Sequence, residues 1–78
     1  MSDQETVSLL REIHHLSDRQ RHHAAALLSA AEAHARAGDD LARLVRTRGE
    51  IDALLRLLVA DLAQEEQAMA DLVAARQP

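Results

Sequence analysis

The chain has 78 residues, carries a formal charge of −4, and contains neither cysteine nor any Phe, Tyr or Trp. That length allows one small domain, and of the 47% apolar residues sixteen are alanine. A disulfide scaffold and an aromatic ligand pocket are therefore excluded, and a chain this small and poor in bulky side chains is expected to fold as part of an assembly.

The N-terminus, MSDQETVSLLREI, carries acids where a secretory signal would carry positive charge. The densest apolar run, LLRLLVADLA at 54–63, is interrupted by Arg56 and Asp61 and is too short to cross a bilayer. These features predict a soluble, cytoplasmic protein. All nine basic residues are arginine, a codon signature of a GC-rich, bacterial genome.

Ser2 and Glu5 have capping-box spacing, so helix 1 is expected from about residue 3 to 37. Along it Leu9, Ile13, Leu16, Gln20, His23, Leu27, Ala30 and His34 alternate at four and three residues, the rhythm of a coiled-coil seam. Leu10, Ala24, Leu28 and Ala31 widen that stripe. A break at Ser17-x-x-Gln20, which also matches a capping box, is disfavoured because the rhythm runs through it.

Ala37-Gly38-Asp39-Asp40 is the one strong punctuation. Glycine accepts the left-handed conformation that ends a helix, and aspartate is a favoured N-cap for the next. Helix 2 is expected from about 40 to 76, with a possible kink or break at 47–49, where Thr47-x-x-Glu50 and Gly49 interrupt good helix formers. The fold class is all-α: an antiparallel two-helix hairpin, coiled-coil-like, expected to dimerise into a four-helix bundle. Folding about residue 39 sets residue i opposite about 78 minus i, which brings Arg11, Arg19 and Arg21 towards Asp61, Glu65 and Glu66.

Helix 2 is apolar on two arcs. Leu41, Leu44, Arg48, Ile51, Leu55, Leu58, Leu62, Glu65, Met69 and Leu72 give a 3/4 rhythm assigned to the partner helix of the hairpin. Leu54, Leu57, Ala68, Leu72 and Ala75 form a neighbouring arc, which with Leu58 is assigned to a second chain. Gln20, His23, His34 and Arg48 are read as a polar seam that sets register, with the corollary that neutral, buried imidazoles would oppose packing when acid charges them.

The run HHLSDRQRHH at 14–23 is the nearest approach to a metal motif. Glu12-x-x-His15 points away from the leucines, and helix 2 has no histidine to complete a site in the bundle core. His14, His15 and His22 are read as a solvated face, and no metal or other cofactor is expected. No Ser/His/Asp or Cys/His set and no phosphate-cradling glycine loop occurs, so no enzyme is expected either. The run GEIDALLRLL at 49–58 resembles the first helix of helical chorismate mutases, a fold that needs further helices after it.

The doubled apolar face selects a protein–protein interaction module: an adaptor, a small chaperone or an accessory subunit, with itself or a helical protein as partner. In size and layout, over the hairpin and its Gly-Asp turn, the chain resembles the small helical-hairpin chaperones of bacterial type III secretion needles; that resemblance implies that the second arc of helix 2 receives the partner. The alternative is a nucleic-acid-binding hairpin dimer using Arg36, Arg43, Arg46 and Arg48, set against a net negative charge and no aromatic stacker.

Overall fold

A computed structural model describes residues 3–77 and consists of two α-helices, α1 (Asp3–Ala35) and α2 (Leu41–Arg76), packed along one another as a hairpin. The Ser2 cap expected for α1 lies outside the described residues. The hairpin is a rod of 60 × 14 × 12 Å over its Cα atoms. Among the described residues no helix is long and apolar enough to cross a membrane.

The connection follows from its sequence. The amide of Ala37 closes a tight turn on the carbonyl of His34, and Gly38 takes φ +60°. A side chain with a Cβ rarely adopts that conformation, so helix propagation stops there. Asp40 then caps α2, its carboxylate accepting from the Arg43 amide at 3.1 Å.

Both helices are continuous where breaks were considered. Ser17 stays in α1 and donates its hydroxyl across the hairpin to Glu65. At 47–49 α2 runs straight through, because the Thr47 hydroxyl donates back to the Arg43 carbonyl at 2.8 Å instead of capping a new helix.

On α1 the expected seam is the observed one, from Leu9 to His34, with Leu16 and Ala30 buried. On α2 the seam shares Leu44, Ile51, Leu58, Glu65 and Leu72 with the expected row, but takes Thr47, Leu54, Asp61 and Ala68 in place of Arg48, Leu55, Leu62 and Met69. Leu44, Thr47, Ile51, Leu54, Leu58, Asp61, Glu65, Ala68, Leu72 and Ala75 face α1, again at strict three and four spacing. Each bonded seam residue of α1 meets a partner three to seven places further along α2 than folding about residue 39 sets, from Thr47 opposite His34 to Glu65 opposite Gln20. The hydrophobic core is correspondingly slight. Leu16, Ala30, Ala37 and Ala68 are its only buried apolar residues among those described, and three of the four are alanine.

Candidate functional site

Polar residues hold the middle of the seam. Asp61, 1% exposed, accepts from Arg19 Nη2 at 2.5 Å on one carboxylate oxygen and from His23 Nδ1 at 2.6 Å on the other. Burial of the carboxylate raises its pKa, but the hydrogen bonds and positive charges of Arg19 and His23 outweigh that and hold Asp61 below the usual aspartate value. One turn further on, a single Glu65 oxygen accepts from Ser17 Oγ and Gln20 Nε2, each at 2.8 Å. Nearer the turn, Thr47 is 3% exposed and spends its one hydroxyl proton on the Arg43 carbonyl. Its oxygen also lies 2.7 Å from His34 Nδ1, the second hydrogen bond that joins the two helices here. Every buried side-chain polar atom among the described residues is partnered.

These bonds lock the axial register of the hairpin. Only Arg19–Asp61 forms of the arginine–carboxylate contacts expected across it; Arg21 instead reaches Asp18 on its own helix at 3.0 Å. The expectation that acid would strand buried neutral imidazoles is corrected for His23. A protonated ring keeps the same Nδ1–H bond to a carboxylate.

The metal reading of HHLSDRQRHH gains no geometry. His14 lies 3.5 Å from Asp18, both well exposed, and Asp18 already pairs with Arg21. Among the described residues no group of three or more His, Cys, Asp or Glu side chains converges.

The flanks of the hairpin differ sharply. On one side Arg19 reaches Gln64 at 3.4 Å, and Ala26, Ala33 and Glu50 line a shared hollow. On that side too, Arg36, Arg43 and Arg46 line a hollow with Ala33 and Thr47. Arg48 instead joins His34, Leu41, Leu44 and Val45 on the other side. The four-arginine cluster is thus divided three to one.

The other side is apolar. Positions that follow the buried seam residues by one place lie there, together with the next row outward. On α2 these rows read Leu41, Val45, Arg48, Asp52, Leu55, Val59, Leu62, Glu66, Met69, Val73; on α1 they include Val7, Leu10, Ala24, Leu28 and Ala31. Ten of the eleven exposed large apolar residues of the described chain belong to this one face. Scattered leucines are ordinary on a protein surface, but ten large apolar residues gathered on one flank of a rod, interrupted by Arg48, Asp52 and Glu66 on α2 and by His14 and Arg21 on α1, are not.

The two arcs of α2 have therefore exchanged roles in part: Leu44, Ile51, Leu58, Glu65 and Leu72 face α1 as expected. Of the residues assigned to a second chain, Leu54, Leu58, Ala68, Leu72 and Ala75 face the chain's own α1, and Leu57, 48% exposed, sits alone on the polar side. Leu41, Leu55, Leu62 and Met69, assigned to the sister helix, stand outside. Gln20, His23 and His34 are seam residues as expected, whereas Arg48 lies on the apolar flank and Thr47 holds the seam position beside it.

Comparison with protein-family models, curated proteins and solved structures finds no match for this chain.

Proposed function

We propose that this chain is a small, non-enzymatic protein–protein interaction module whose working surface is the apolar face. The observation that carries the reading is the segregation of ten exposed large apolar residues onto one flank, while polar side chains occupy the middle of the intramolecular seam. The seam gives register, and the strongest apolar row of α2 is left outward. Pairing that face with another helical surface completes a four-helix layer, the arrangement expected of an adaptor, a small chaperone or an accessory subunit.

The test is substitution on matched flanks. Leu55→Gln and Leu62→Gln should abolish association, with itself or with a protein partner, while Leu57→Gln on the polar side leaves it intact. Retention of all association by both face variants removes the reading.

The hollow lined by Arg36, Arg43 and Arg46 supports a second reading, contact with a phosphate backbone at the turn end. Binding of an RNA duplex that weakens steeply with salt, and disappears in Arg43→Gln/Arg46→Gln, would favour it; no binding at low salt would end it.

A further inference from the structure

We infer that the occupant of the apolar face is a second copy of this chain, with the two α2 helices antiparallel across a two-fold axis level with residue 57. The inference rests on the face being the working surface and adds which partner it takes, in which register.

The outward row of α2 is self-complementary about that level. Turned end for end, Leu41 meets the partner's Val73, Val45 the partner's Met69, and Leu55 the partner's Val59. Arg48 then meets the partner's Glu66, and by symmetry this ion pair occurs twice. Asp52 faces the partner's Leu62 and has Arg48 and Arg56 one turn away on its own helix. Sliding the pair by one heptad destroys the match. In one direction Arg48 falls against Val59 and Glu66 against Leu41; in the other they fall against Val73 and Leu55. Only the central register opposes the two charges to each other.

The alternative face-to-face dimer, with both turns at the same end, lays α1 of one copy on α2 of the other. At the level fixed by the cross-hairpin bonds it sets Arg48 against the partner's Ala35 and Glu66 against the partner's Ser17, so neither charge meets its opposite. In the antiparallel arrangement α1 contributes Leu10, Ser17, Ala24 and Ala31 on its inner row, three of them small residues that let a second hairpin approach closely.

Size agrees. A strip about 50 Å long on a hairpin 14 Å across offers on the order of 700 Å², close to the ~800 Å² that each partner buries in a standard interface. The thin core of one hairpin gives the second copy a stabilising role.

Light scattering and sedimentation from low to hundreds of micromolar test the occupant. The expected mass is twice the 8.6 kDa of the chain. Arg48→Glu and Glu66→Arg should each weaken the dimer at least roughly ten-fold, and the double variant should restore it. Because the chain has no cysteine, a spin label at Ala42→Cys reports geometry: about 45 Å between labels for antiparallel α2 helices, and well under that with both turns at one end. A wild-type monomer throughout overturns the second copy while leaving the apolar face to its own flank test. A dimer with a short label distance, or one that the double charge variant does not restore, overturns the register. A dimer dissociated by Leu57→Glu but not by Leu62→Glu overturns the choice of face as well.

Discussion

His23 Nδ1 lies 2.6 Å from Asp61 Oδ2, joining the two helices through a carboxylate almost wholly withdrawn from water. Arg19 holds the other oxygen of the same group. A charge so placed is tolerable only because both oxygens are bonded, and it ties one position of α1 to one position of α2.

The acid response of this pair has a definite sign. Asp61 titrates below the usual aspartate value of 3.8 in the folded chain, so its stabilising contribution is complete above that value and is lost as pH falls through the lower, folded one. Asp61→Asn should melt below the wild type at pH 7, and the gap should close as pH drops under about 3.8. Thermal melts of both proteins between pH 7 and 2.5 check this. A gap that stays constant over the range would mean that the charge of Asp61 contributes nothing.

The second cross-helix bond gives a cleaner pairwise test. In Thr47→Val the His34 Nδ1 loses its hydrogen-bond partner across the hairpin, and the Arg43 carbonyl loses a side-chain donor. The half-buried ring can recruit water, so the cost should sit near the low end of the range for an unsatisfied group, about 1 kcal/mol, or several degrees in Tm. His34→Leu combined with Thr47→Val should recover part of that loss. A double-mutant cycle from chemical denaturation measures the coupling, and strict additivity would show that the bond is inconsequential.

The same polar contacts explain which parts of the fold were legible in the sequence. The turn was readable because Gly38 and Asp40 act locally, one through its backbone freedom and the other as a cap. The α1 seam was readable because its rhythm passes intact through Gln20, His23 and His34. On α2 two rows share the same period, and the expected row mixed them, holding Leu44, Ile51, Leu58, Glu65 and Leu72 of the seam but Leu55, Leu62 and Met69 where the seam has Leu54, Asp61 and Ala68. Hydropathy favours Leu41, Leu55, Leu62 and Met69, but the polar seam residues of α1 need partners, and only Thr47, Asp61 and Glu65 supply them at the right levels. Leaving those polar groups unbonded within the seam would cost about 1–3 kcal/mol each. Matching polar positions across the hairpin would have found the seam; summing apolar residues could not.

Neighbouring leucines should therefore behave differently. Leu54 faces α1 and Leu55 the outer strip. Leu54→Ala should destabilise the hairpin by about 2 kcal/mol at every protein concentration, the lower end for truncating a partly buried leucine. Leu55→Ala should act on association, so its effect on Tm should grow as the wild type is concentrated and vanish on dilution. Melts across a hundred-fold concentration range separate the two. Parallel behaviour of both variants would mean that the arcs are not functionally distinct.

The two glycines make opposite predictions from one substitution. Gly49 sits inside continuous α2, and a Cβ added there meets nothing within 4 Å. Gly49→Ala should stabilise by about 0.5–1 kcal/mol, since alanine loses less backbone freedom on entering a helix. Space is equally open at Gly38, but there φ is +60°, a conformation that costs a residue bearing a Cβ roughly 1–2 kcal/mol. Gly38→Ala should destabilise by about that amount, and helicity at the melting midpoint, followed by circular dichroism, compares the pair directly. Stabilisation by Gly38→Ala would show that the connection does not use the left-handed turn, and with it the register that aligns His34 with Thr47 and His23 with Asp61 would have to be redrawn.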